Sequence, residues 1–196
     1  MKLAYWLIPG FSALALAACA TEGGSGAGVD SAGAGDPGPP AAVSTIGPPR
    51  LSADLRDALG RVRARATAES SGDSLRVRVE AVGMTPGAYG AHLHTTGRCD
   101  PPGFTTAGPH WNPTDQKHGK DNPAGMHKGD LPNLIVGTDG RGSFEYTIPN
   151  AGLSGMLPNR LIDADGAAVV IHARADDFRT DPSGNSGDRI ACGVLG

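Results

Sequence analysis

The sequence predicts an all-β sandwich or barrel. Three observations carry this: stretches in which apolar and charged residues alternate singly, short segments of strand length closed by Gly, Pro, Asn or Asp, and almost no helical periodicity. Only Leu51 to Leu59 permits a helix, of one or two turns. In GRVRARATAE, Val62, Ala64 and Ala66 face one way and Arg61, Arg63 and Arg65 the other. In SLRVRVEAV, Leu75, Val77 and Val79 oppose Arg76, Arg78 and Glu80. A period of two marks half-buried antiparallel strands, and the intervening ESSGDS supplies turn chemistry. Further strand candidates are Gly90 to His94, Asn133 to Gly137, Gly142 to Ile148, Ala167 to Ala173 and Arg189 to Leu195. Residues 51–196 thus form one domain of ordinary size with a single core.

What precedes this domain is of a different kind. Residues 1–18 carry one positive charge, Lys2, then an apolar run from Leu3 to Ala18. That run has 16 residues and contains Pro9-Gly10. A membrane span needs roughly 20, so it is expected to be an export signal peptide. Leu16-Ala17-Ala18-Cys19 resembles the lipobox of bacterial lipoproteins, which implies that Cys19 is acylated and becomes the new N-terminus. Residues 19–50 are then a lipidated cysteine and a tether of Gly, Ala, Ser and Pro, too poor in apolar bulk to offset the entropy of ordering. The expected location is periplasmic or cell-envelope, held to a membrane by lipid. The net charge of −3 becomes −4 after cleavage, because Lys2 leaves and no acid does. No Lys/Arg cluster is dense enough for nucleic acid.

The segment GPHWNPTDQKHGK, residues 108–120, holds two histidines and little to bury. Such a loop must be held by something other than a core. All six histidines, His92, His94, His110, His118, His127 and His172, fall within 81 residues, and the other 115 have none. A single histidine is ordinarily a surface or satisfied core residue, but six so confined point to metal. In AHLHT the strand period puts His92 and His94 on one face and Leu93 on the core side.

These residues resemble a known family. GAHLH, AGPHWNP, KHG, HKGDLPN, VVIHARADD and GDRIACGVLG occur in the order and spacing of copper/zinc superoxide dismutases, in particular their exported bacterial branch. The resemblance runs from about Arg56 to Gly196. It implies an eight-stranded antiparallel Greek-key sandwich or flattened barrel with long metal-binding and electrostatic loops.

It also implies a ligand set: His92, His94, His110 and His172 for copper, and His110, His118, His127 and Asp130 for zinc, with His110 as the bridge. Four imidazoles suit Cu(II), and three imidazoles with a carboxylate suit tetrahedral zinc. A bridging imidazole must be an imidazolate, an anion that two neighbouring dications stabilise. By the same resemblance Asp176 links His92 to His118, Cys99 pairs with Cys192 in an intrasubunit disulfide, and Arg189 receives superoxide. A planar, permanently charged donor fork suits a small oxyanion. Closing so long a loop has an idealised entropic value of roughly 4 to 5 kcal/mol. DDFRTDPSGNSGD matches the electrostatic loop in place and ending but has Arg179 and no lysine, which puts its steering in question.

The implied activity is dismutation of superoxide to dioxygen and hydrogen peroxide by alternating reduction and oxidation of copper, with zinc structural. His110 would release copper and take a proton in the reduced state. The alternatives are a non-enzymatic periplasmic copper/zinc-binding lipoprotein that buffers metal, and a β-sandwich interaction module. Arg189 and the complete copper set argue against both. The sequence leaves monomer and homodimer open.

Overall fold

A computed structural model describes residues 48–155 and 158–196. The expected signal peptide, Cys19 and all but the end of the expected tether lie outside the described residues. Nine strands follow in order: β1 (Arg50–Arg56), β2 (Val62–Ser71), β3 (Ser74–Val82), β4 (Gly87–Tyr89), β5 (Ala91–His94), β6 (Leu134–Val136), β7 (Arg141–Pro149), β8 (Ala168–His172) and β9 (Arg189–Val194). Seven form one curled antiparallel sheet in the order β5-β8-β9-β1-β2-β3-β7, and β4 pairs with β6. Among the described residues the helical content is one short turn, Thr105–Ala107.

The alternation read from the sequence is the alternation of burial. Ala64, Ala66 and Ala68 of β2 and Leu75, Val77 and Val79 of β3 enter the core, joined by Leu134 and Val136 of β6. Each fully buried Leu or Val contributes about 1.5–3 kcal/mol of transfer free energy. The outward arginines pair with acids, Arg65 with Asp54 at 3.2 Å, Arg76 with Glu69 at 3.2 Å and Arg78 with Glu80 at 2.9 Å. Exposed pairs of this kind add at most about 1 kcal/mol each.

Two expectations are corrected. The helix allowed over Leu51 to Leu59 is absent. The segment forms β1, where Ala53 and Leu55 alternate inward and pair across Ala66 and Ala64 of β2, so tertiary pairing overrides local propensity. It ends in a turn where Asp57 Oδ1 accepts from the backbone N–H of Leu59 and Arg61. Among the described residues nine strands stand where the resemblance implies eight, and the 87–94 stretch is divided at Gly90 between two pairings, β4 with β6 and β5 with β8. A Cβ at Gly90 would meet the Ser186 Cβ at 2.9 Å, and the Gly90 amide and carbonyl bond to Arg174 and His172. Only glycine fits where the strand changes partner.

Candidate metal centre

β5 is the foundation of the site. β8 pairs along one edge, and the 108–131 segment lays its backbone along the other. Thr95 N–H donates to Pro109, Trp111 to Leu93, Leu93 to Gly129 and Leu131 to Ala91, at 2.8–3.3 Å. These bonds set His110 opposite His94 and Asp130 opposite His92. A Cβ at Gly129 would meet the Leu93 carbonyl at 2.5 Å, so the loop can approach this closely only with glycine there. Leu93 points into the core as the period of two requires. His92 and His94 point the other way, under the loop, and both are fully buried. His172 closes β8 at a bulge, opposite Arg189 at the start of β9.

Seven side chains from three parts of the chain therefore converge. All six histidines and Asp130 are at most 8 % exposed. His92, His94, His110 and His172 form one potential four-ligand group, with donor atoms within 4.8 Å of one another. Asp130 organises a second. Its Oδ1 lies 3.0 Å from His110 Nδ1, 3.0 Å from His118 Nδ1 and 3.1 Å from His127 Nδ1. Its Oδ2 is occupied by the backbone N–H of Gly119 at 2.8 Å and His127 at 3.0 Å. His92 also lies within 4.8 Å of His110, His118 and Asp130. Its Nε2 is already bonded to Asp176, whereas His127 Nδ1 faces the same Asp130 oxygen as the other two rings, so His127 is the better fourth member.

Ring chemistry tests whether these groups suit metals. His92 Nε2 and His118 Nε2 bond to Asp176 at 2.7 and 3.0 Å, His94 Nδ1 to the Gly108 carbonyl at 2.9 Å, and His172 Nδ1 to the Gly187 carbonyl at 3.0 Å. Each acceptor is an oxygen, so each of these nitrogens carries a proton, and on the neutral rings of His92, His94 and His172 the opposite nitrogen carries the lone pair. Those opposite atoms, His92 Nδ1, His94 Nε2, His118 Nδ1 and His172 Nε2, are buried with no hydrogen-bond partner. His118 Nδ1 is near Asp130 but out of line for a hydrogen bond. Three orphaned lone pairs in one cluster, on His92, His94 and His172, are costly without a metal and natural with one.

Electrostatics divide the cluster. Burial pulls His92 down to about 3 against the Asp176 hydrogen bond, and His172 down to about 4 against the Gly187 carbonyl. Burial also lowers His94 and His110. Before a metal binds, these rings are uncharged at pH 7, and His110 would give up its remaining proton on bridging. For His118 burial is outweighed by two adjacent carboxylates, Asp130 3.0 Å from Nδ1 and Asp176 accepting from Nε2, which raise it to about 9. Burial opposes ionisation of Asp130 and Asp176, but their ring partners hold both well below the carboxylate range.

The supports around the rings extend beyond the sequence reading. Asp176 bridges His92 and His118 as expected. Asn133, which had no role in that reading, brackets Asp176 by donating to its carbonyl at 2.9 Å and accepting its N–H at 2.8 Å. Asp181 accepts the His118 backbone N–H at 2.6 Å and pairs with Lys117 at 3.0 Å, tying the 177–188 segment to the 108–131 segment. The last motif N of HKGDLPN was a signal for Asn133; nothing in sequence marked Asp181. Arg189 donates through Nη1 to the Phe104 carbonyl at 2.9 Å and through Nη2 to that of Gly108 at 2.8 Å. The Gly108 oxygen thus positions both Arg189 and His94. Cys99 and Cys192 form the expected disulfide, and Phe104 packs with Cys192, Ala107, Ala168 and Val170 in a small second core. The disulfide therefore anchors the loop whose carbonyls hold the arginine. Burial lowers Arg189 from its ordinary value, but a guanidinium stays charged. A cleft of about 960 Å³ opens on His110, His127, His172 and Arg189.

An antiparallel β protein with two histidine-rich ligand groups sharing one ring, beside an arginine in a cleft, defines a two-metal β metalloprotein. A model of the copper/zinc superoxide dismutase family matches residues 58–195, and the chain belongs to that family. A copper/zinc superoxide dismutase of Aquifex aeolicus is 39% identical over 147 residues, covering 74% of this chain and 87% of its own. A superoxide dismutase-like protein of Bacillus subtilis is 44% identical over 128 residues, 65% of this chain and 65% of its own length. The crystal structure of a double mutant of a superoxide dismutase-like protein from Bacillus subtilis shares 40% identity at a TM-score of 0.69, covering 74% of this chain and 95% of that one. The metals of the chain are copper and zinc, which its imidazole and carboxylate donors fit, and its function is of the superoxide dismutase type.

Proposed function

We propose that the protein dismutates superoxide, with His92, His94, His110 and His172 holding copper and His110, His118, His127 and Asp130 holding zinc. The observation that carries this reading is the set of three orphaned, buried ring nitrogens of His92, His94 and His172, each fixed by a bond on the far side of its ring. Copper, when bound, supplies the one-electron chemistry that converts two superoxide anions and two protons to one dioxygen and one hydrogen peroxide.

The chain's own residues do the rest. His110 turns Nδ1 to the Asp130 group, which leaves Nε2 for the other group and lets one ring serve both. Its Nε2 is also the atom that can hold a proton beside the substrate and release it to the departing peroxide. Asp176, through both oxygens, keeps His92 and His118 in register across the two sites. Arg189 spends two of its five donors on carbonyls and has the others for the anion. Loading with both metals and following superoxide loss tests the proposal. One copper, one zinc and fast loss are expected, and a fully loaded protein without loss refutes it. Arg189→Ala should keep both metals and slow the second-order rate roughly tenfold.

We further propose export and lipid attachment at Cys19. Support comes from the apolar leader ending in Leu16-Ala17-Ala18-Cys19 and from the Cys99–Cys192 disulfide, a bond that persists in oxidising compartments.

A further inference from the structure

The segment expected to steer the anion by its place in the sequence brings no charge to the cleft. Residues 177–188 contribute Pro182, Ser183 and Gly187 to its walls. Arg179 is exposed and does not line it; its carbonyl takes a hydrogen bond from Asn122. Asp181 is engaged with Lys117 and His118. Taken as a whole that segment is net acidic, with Asp177, Asp181 and Asp188 against Arg179. Apart from the histidines and Arg189, the charged residues lining the cleft are Arg160 and Asp163, from the connection between β7 and β8.

Residues 160–165 of this connection are held by the backbone. Arg160 pairs with Gly152 in an isolated bridge, Leu161 N–H donates to Gly152 at 2.8 Å and Ile162 N–H to Leu153 at 2.7 Å. Leu153 and Leu161 flank it at 2 % exposure. Its far end is fastened just beyond His94, where Gly97 N–H donates to the Asp165 carbonyl at 2.7 Å and Thr96 Oγ1 to its carboxylate at 3.3 Å. Arg160 is exposed and has no acid within ion-pair distance among the described residues, so its charge is not cancelled by a contact partner. A charge carried on a fixed backbone at a cleft wall shapes the local field, where one on a free loop would be averaged over its motion.

We propose that Arg160 is the outer steering residue of this site, drawing the small anion into the cleft towards Arg189, and that Asp163 on the same connection opposes it. The proposal rests on the superoxide reading for its biological substrate, but its physical content is capture of a small anion. The net negative chain makes a local cation necessary for fast encounter.

The test uses the copper- and zinc-loaded protein with two probes, superoxide in pulse radiolysis and azide titrated against the copper absorption. Arg160→Ala should lower both the superoxide rate and the azide affinity about two- to fourfold at low salt, as expected for one partly screened exposed charge. Asp163→Asn should raise both by a similar factor, and the double variant should return near wild type. All differences should vanish in ~1 M salt, where the Debye length is about 3 Å. Arg141→Ala, which removes the same charge from β7 outside the cleft, should change neither. Metal content should be intact in every variant. An Arg160→Ala protein with full metal and unchanged azide affinity overturns the inference, as does an equal effect from Arg141→Ala. If wild type binds azide in this charge-dependent way yet leaves superoxide untouched, the functional reading fails and the steering assignment stands.

Discussion

Gly184→Ala should damage the metal centre although Gly184 is neither a ligand nor charged. Its φ is +62°, and a Cβ there would fall inside the van der Waals radius of Asp176 Oδ1 and 2.8 Å from His118 Nε2. Backbone bonds on both sides, Gly184 N–H to Thr180 at 2.7 Å and Asp177 N–H to the Gly184 carbonyl at 2.9 Å, prevent the residue from backing away. The Asp176 carboxylate must retreat by roughly 1.5 Å to restore contact distance, which breaks its 3.0 Å bond to His118. Loss of such a carboxylate–histidine support typically costs 10–100-fold in metal affinity. Gly72 provides the control, because its φ is also +62° but nothing lies within 4 Å of its Cβ position. Both alanine variants should lose about 1–2 kcal/mol of stability from the left-handed backbone, and only Gly184→Ala should lose zinc affinity as well. Chelator competition on the folded variants, with thermal unfolding of the metal-free forms, measures the two effects separately. A Gly184→Ala protein with wild-type zinc affinity would show that the Asp176 bridge does not position His118.

Other outcomes follow from the same geometry. His110→Ala should weaken both metals, whereas His172→Ala should remove copper and leave zinc bound; elemental analysis that finds the same single metal lost from both refutes the ligand division. Zinc binding to the metal-free protein should displace a proton from His118, raised to about 9, so zinc affinity should climb about tenfold per pH unit between about pH 6 and 8. His92 and His172, lowered to about 3 and about 4, are already neutral there and should add no such slope to copper binding. Competition titrations across that range decide it, and a flat zinc profile counts against a protonated His118. Cys19→Ser should abolish palmitate incorporation and membrane partitioning in a lipoprotein-processing host; unlabelled wild type would rule out the anchor.

The period-two stretches were legible as β2 and β3 because burial on one face of a sheet writes itself directly into side-chain polarity. β1 was not, since Leu51 to Leu59 is short and its strand state comes from pairing with β2. The break at Gly90 was hidden for the same reason: the sequence shows a glycine, but the crowding by Ser186 and Arg174 that requires it comes from chain almost a hundred residues away. Arg160 escaped notice because an isolated arginine in a long connection has no local signature. Arg179, the departure in charge that put the steering of its loop in question, lies off the cleft.

By itself the sequence determined the donors: six histidines and Asp130 gathered in one region, the arginine of GDRIACG, and the two cysteines, Cys99 and Cys192, that the family resemblance pairs. Side-chain chemistry is a property of residue type, so it survives in one dimension. The tertiary structure decided which nitrogen of His92, His94 and His172 is left with its lone pair, because that choice is made by what lies on the other side of the ring. Two of the acceptors are the Gly108 and Gly187 carbonyls, and every residue has a carbonyl, so no sequence can mark the ones that fix His94, His172 and Arg189. Only folding the backbone against β5 and β9 brings those oxygens to the rings.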